Sequence, residues 1–185
     1  MKDKLIELDA QLKQLWEQLQ PQRNKFLLPS GSQNFVTMLL DDQIFGIYLP
    51  VVQEVTRMAQ LTKLVGAPPS IVGLLNLRGA IVPIIDLRVL LGLTQKPYKT
   101  NNKIILIEYE NKQRGLIVDD FTDIITIQET ELSELGGVIP RIEFVLAMAR
   151  TQNMLITLLD HTRLLSVEQE QFLENVLSAN KEVAS

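Results

Sequence analysis

Residues 35–55 read FVTMLLDDQIFGIYLPVVQEV, and 69 positions later the chain echoes them as IILIEYENKQRGLIVDDFTDI, residues 104–124. In that alignment Gly46 falls on Gly115, Ile47 on Leu116, Leu49 on Val118, Val52 on Phe121, Glu54 on Asp123 and Val55 on Ile124. After a slip of five residues, IVPIIDLRVLL (81–91) lies over LITLLDHTRLL (155–165), with Asp86 on Asp160 and Leu90 and Leu91 on Leu164 and Leu165. Apolar residues match by chance with ease; matched glycines and acids do not. Two copies are too few for a solenoid, which needs about three repeats or more. The economical expectation is two similar small barrels packed side by side, one per copy, the first over about 33–97 and the second over about 98–165.

Within the copies, FVTMLL, IFGIYL, VQEVTRM, IVGLLNL, AIVPIIDL, KIILIEY, GLIVDDF, DIITI and NMLITLLD read as short strands, because branched and apolar side chains dominate between turn residues. LVGAPPS and TQKPYKTNNK read as loops. The chain is therefore expected to be mainly β. Helices are expected only at its ends. Leu5, Leu8, Leu12, Leu15 and Leu19 step by three and four, which predicts an amphipathic helix over 1–20, followed by a polar linker to residue 32. Its seam serves either packing on its own domain or a partner, a second copy of the chain included. At the other end Ser166 and Gln169 form a capping-box start for a helix over 166–185 whose apolar face is Phe172, Leu173, Val176 and Leu177.

Composition excludes several classes of function. The chain has 185 residues and no cysteine, so a thiol nucleophile, a cysteine-bound zinc and a disulfide framework are out of reach. MKDKLIELDAQLKQ has no apolar centre and does not read as a signal peptide. The longest apolar runs are broken by Arg78, Pro83, Asp86 and Arg88, well short of the roughly 20 residues that span a bilayer. A soluble protein is expected. Net charge is −4 with the cations scattered, which argues against nucleic acid as the partner.

The stretch GLLNLRGAIVPIIDLR, residues 73–88, is where the copies differ most. Asn76 and Gly79 are turn formers, so Arg78 is expected at a tight turn between two strands, where its guanidinium can project. Pro83 offers no N–H to a ladder, which predicts an edge strand or a bulge. Glu54 in VQEV is the natural mate of Arg78, and a buried pair of this kind would cost about 3–5 kcal/mol to break. The pair can be an internal clamp, a contact for a partner, or both.

VQEV at 52–55, VGLLNLRGAIVPIIDLR at 72–88, GLIVDD at 115–120 and MLITLLDHTRLL at 154–165 resemble, in order and spacing, the CheW family of adaptors that couple chemoreceptors to the histidine kinase CheA. The resemblance covers about 33–165, and its core NLRG-x-x-x-P-x-x-D-L-R is specific. It implies two five-stranded SH3-like barrels around a shared core. It also implies a cytoplasmic, non-enzymatic scaffold without cofactors, recruited to membrane receptor arrays. One face would dock the regulatory domain of a CheA-type kinase, and a groove between the barrels would take the helical tip of a receptor. Val52, Glu54 and Arg78 match positions associated with receptor coupling; Gly46, Asn76, Gly79, Pro83, Asp86, Arg88, Gly115 and Asp160 match structural ones. The extension before residue 21 and the Tyr48-Leu49-Pro50 stretch depart from the family pattern and leave the choice of partner and pathway open.

An enzyme and a polymer-binding barrel are the rival readings. An enzyme would need more than His161, the single histidine, which reads as an ordinary polar residue after a strand. Asp119, Asp120 and Asp123 lack the spacing of a calcium loop and read as a solvated turn, and no glycine-rich phosphate motif occurs. A small barrel that binds nucleic acid or oligosaccharide would use aromatic platforms and basic grooves, and aromatics make up only 5% of the chain.

Overall fold

The computed structural model describes residues 31–133, 144–151 and 154–183. They belong to one compact unit, Gly31–Ser185. The helix expected over 1–20 lies outside the described residues.

In chain order the elements are β1 (Ser32–Leu40), β2 (Gln43–Tyr48), β3 (Val52–Arg57), β4 (Ile71–Leu77), β5 (Ala80–Asp86), α1 (Leu87–Leu90), β6 (Lys103–Tyr109), β7 (Lys112–Val118), β8 (Asp120–Gln128), β9 (Leu132–Ser133), β10 (Val145–Thr151), β11 (Met154–Leu159) and α2 (Val167–Val183). They form a mainly β fold with a six-stranded sheet, β8-β1-β2-β11-β10-β9, and a five-stranded sheet, β3-β6-β7-β5-β4. Two strand readings are corrected. GLIVDDF is not one strand, since Asp119 separates β7 from β8, and β10 lies in a stretch where no strand was read.

The sheets also correct the expectation of one barrel for 33–97 and another for 98–165. Each sheet holds strands of both copies. The β1–β2 hairpin of the first copy sits among β8, β10 and β11 of the second, and the β6–β7 hairpin of the second sits among β3, β4 and β5 of the first. The connections explain the exchange. Asp119 alone joins β7 to β8, whereas the tightest common hairpin needs two loop residues. The chain cannot turn back on β7 and crosses to the other sheet instead. In the first copy a single 3-10 turn, Leu49–Val51 with Pro50 inside it, makes the matching crossing from β2 to β3.

The repeat is otherwise kept to the register. Gly46 lies opposite Leu158 in the parallel β2–β11 pair, as Gly115 lies opposite Ile84 in the parallel β5–β7 pair. The bulges recur too: pairing slips between Val52 and Glu54 in one sheet and at Thr37/Met38, opposite Asp123 and Phe121, in the other. It slips again at Ile71/Gly73 and at Val145/Ala147. Both glycines are required by close approach. A Cβ on Gly115 would stand 2.4 Å from Ile84 Cδ1, and one on Gly46 would stand 2.8 Å from Leu158 Cδ2.

The main core draws on both sheets: Val36, Met38 and Ile47 from the six-stranded one and Ile85, Ile105 and Leu116 from the five-stranded one, all essentially inaccessible. A second cluster, Leu75, Val82, Ile84, Ile104, Leu106 and Ile117, fills the other face of the five-stranded sheet. At the chain's end α2 starts as expected, with Ser166 N–H bonded to Gln169 Oε1 at 2.9 Å and Gln169 N–H to Ser166 Oγ at 3.3 Å. It is moored by Leu173, fully buried, and by polar contacts of Gln169 with Ser70, Glu170 with Arg114 and Glu174 with Lys112.

Candidate functional site

The β4–β5 turn is a two-residue loop, Arg78-Gly79, closed by the Leu77–Ala80 pair. Both loop residues have positive φ, 52° and 90°, the combination of a type I′ turn whose twist suits a right-twisted hairpin. Asn76 Oδ1 accepts a hydrogen bond from Gly79 N–H at 3.0 Å and braces the bend. Glycine takes such a φ freely, but an arginine there is held against a preference of roughly 1–2 kcal/mol.

That strain presents Arg78. Its side chain is 81% exposed, with Nη2 at 3.3 Å from Glu54 Oε2. Glu54 belongs to β3 and the turn to β4 and β5, which lie at opposite ends of the sheet order. The pair therefore spans the open side of the rolled sheet. The expectation of a buried clamp worth several kcal/mol is corrected: an exposed pair contributes at most about 1 kcal/mol, no more than the strain at Arg78 costs. Stability does not account for arginine at this position.

Val52 is not brought to this pair. The bulge at Gln53 turns Val52, opposite Ile107, toward the core between the sheets, while Glu54, opposite Leu106, faces the second cluster. Val52 is half-buried there. Pro83 does not mark an edge either, since β5 lies between β7 and β4. Counting back from the two-residue loop, Pro83 and Leu74 form a non-hydrogen-bonded pair, so the proline nitrogen points away from β4. The ladder to β7 begins only at Ile84. No N–H is needed.

Asp86 and Asp160 occupy equivalent caps. Asp86 Oδ1 accepts from Arg88 N–H at 2.9 Å and Val89 N–H at 3.3 Å, starting α1; Asp160 Oδ1 accepts from Thr162 N–H at 3.0 Å and starts a 3-10 turn. Tyr98 bonds the other oxygen of Asp86 at 2.7 Å, and burial together with that carboxylate pushes its hydroxyl pKa up. Arg88 is buried and forked between two acids, Asp41 at 2.7 Å and Asp119 at 2.5 Å. Burial opposes its charge, but the bonds to Asp119 and Asp41 outweigh it and raise its pKa. The bond from Lys96, and then that from Arg88, holds Asp41 below the ordinary carboxylate range. Asp119 is lowered as well, because the Arg88 bond overcomes the cost of burial. Asp41 follows β1, Arg88 lies in α1 and Asp119 follows β7, so the fork ties the β1–β2 turn to the segment after β5 and to the link between β7 and β8. Asp119 was expected to be solvated. The sequence signal for its role was the lone buried-type arginine in DLR, which needed an acid from elsewhere in the chain.

His161 is buried and meets Tyr109 edge-on, with ring centroids 5.1 Å apart. Asp120 and Asp123 bond the N–H groups of Phe121 and Ile124. Among the described residues no group of three or more His, Cys, Asp or Glu side chains is placed to hold a metal ion, and no helix is long and apolar enough to cross a membrane.

Comparison with known proteins adds three findings. The family model described as CheW-like domain matches residues 34–169. The chemotaxis protein CheW of Klebsiella aerogenes is 29% identical over 150 residues, 80% of this chain and 90% of that one; the chemotaxis protein CheW of Bacillus subtilis is 28% identical over 141 residues, 75% and 90%. The crystal structure of scaffolding protein TtCheW from Thermoanaerobacter tengcongensis superposes with a TM-score of 0.68 at 29% identity, covering 74% of this chain and 94% of that one.

Proposed function

The chain belongs to the family of CheW-like domain proteins, and from that premise we propose that it is a non-enzymatic adaptor of chemotaxis-type signalling, linking a receptor to a CheA-type histidine kinase. The relatives named above are chemotaxis and scaffolding proteins. The observation that carries the finer reading is Arg78, an exposed cation held in a strained turn and steered by Glu54. Its position costs stability and offers a guanidinium to a partner, which is the signature of a binding residue rather than a structural one. Val52 acts indirectly, by seating the start of β3 on the core, and the kinase regulatory domain takes another face. The adaptor works in the cytoplasm, at receptor arrays.

The test is reconstitution of receptor-dependent kinase activity with this chain, a receptor signalling fragment and a CheA-type kinase. Arg78→Ala should leave the circular dichroism spectrum unchanged and the unfolding free energy in urea within about 0.5 kcal/mol of the parent, and reduce receptor control of the kinase. Glu54→Arg combined with Arg78→Glu should restore the turn's steering but not the coupling. Undiminished control in Arg78→Ala would sink the assignment.

A further inference from the structure

Arg57 ends β3 and Lys103 begins β6, and the register sets them directly opposite each other. Directly opposed side chains of an antiparallel pair share a face, and like charges there oppose folding. The six-stranded sheet provides an internal comparison. The counterparts, Thr126 and Asn34, are also directly opposed, and the Thr126 hydroxyl donates to Asn34 Oδ1 at 2.8 Å. The fold thus has an uncharged solution for this pair and uses it in one sheet only.

Among the described residues the two cations are neutralised only in part. Lys103 reaches one acid, Asp120, at 3.9 Å, and Arg57 has no ion pair among the described residues. A third cation is held beside them. Asn102 accepts a hydrogen bond from Lys99 N–H through its side chain at 2.6 Å, and one from Met58 N–H, the residue after Arg57, through its carbonyl at 2.9 Å. Lys99 is exposed and likewise without an ion pair among the described residues. Val55, two residues before Arg57 on the same face of β3, is 38% exposed. In a chain of net charge −4, this is a cationic surface with an apolar spot, built at the expense of cross-strand repulsion.

We propose that this end of the β3–β6 pair docks an acidic segment of a protein partner, its carboxylates meeting Arg57, Lys99 and Lys103 and an apolar side chain meeting Val55. A phosphate backbone fits less well. Three cations with one exposed ring beside them, Tyr98, whose hydroxyl is tied to Asp86, give little hold on successive bases, and Asp120 stands at the rim. The site is separate from Arg78, because Glu54 and Arg57 lie on opposite faces of β3.

The experiment transplants the uncharged pair: Arg57→Thr together with Lys103→Asn in the full chain. Thermal unfolding is measured for both proteins, and fluorescence anisotropy follows the binding of a labelled peptide of alternating glutamate and valine, with single-stranded DNA of equal charge as the comparison. The variant should be at least as stable as the parent, and its affinity for the peptide should fall by roughly ten-fold or more at low salt. A less stable variant would show that the cations serve the fold. Absence of peptide binding by the parent, equal binding by the variant, or DNA bound as tightly as peptide would each overturn the proposal.

Discussion

At position 161 the second copy carries a histidine where the first carries Leu87, and both side chains are buried. Burial lowers the histidine's pKa, while the charge of Asp160 pulls the other way. Unfolded, the ring protonates near pH 6.5; folded, it resists until lower pH. Between those points the unfolded chain binds more protons, so stability present above the ordinary value is lost as pH falls. His161→Leu, which installs the residue of the first copy, should remove this part of the decline. Urea midpoints at about pH 7.5 and about pH 5.5 should converge in the variant relative to the parent. Residues of this kind were only half legible in the sequence. Gly46, Gly115, Asp86 and Asp160 announced themselves because a repeat preserves what the backbone requires. Arg78 announced its turn and a guanidinium able to project, but not the left-handed backbone that holds it there, which the arginine itself does not favour.

Among the elements, α2 shows how burial and charge divide the work of attachment. Leu173 is its fully buried side chain, whereas Lys112 and Glu174 are both about half exposed. Leu173→Ala should cost about 2–5 kcal/mol, and Lys112→Ala at most about 1 kcal/mol, because solvent screens the pair. Urea denaturation would rank them, and a Lys112 variant as damaged as the Leu173 variant would reverse the ranking. Strand positions were mostly readable from branched residues and turns, whereas Pro83 left an edge or a bulge open; its strand is internal, and pairing slips at Ile71/Gly73, just beyond its partner Leu74. A proline excludes a ladder bond on one side of its strand, and the sequence does not say which side is used. β10, VLAMART, escaped because its alanines and arginine dilute the branched apolar pattern that marks a strand.

For the molecule as a whole, the repeat predicted the likeness of the strands, yet neither their full number nor which copy each would join. Equivalent strands offer equivalent edges, so a sequence alignment cannot distinguish pairing within a copy from exchange between copies. Only the shortness of the links at Leu49–Val51 and Asp119 bears on it. Exchange makes the halves interdependent. Residues 31–97 and 98–185 produced as separate chains should each lack a folded signature by circular dichroism and amide dispersion, and mixing them should restore it. An independently folded half would contradict the shared sheets.

The exchanged hairpin also sets a schedule for biosynthesis. β1 and β2 leave the ribosome first, but β11, the parallel neighbour that covers Gly46, follows about a hundred residues later. At about 5–20 residues per second the nascent hairpin waits roughly 5–20 s with its apolar flank bare. The interval belongs to the order of strands along the chain, and substitutions that strengthen the finished core leave it unchanged; chaperone demand is therefore written into the topology.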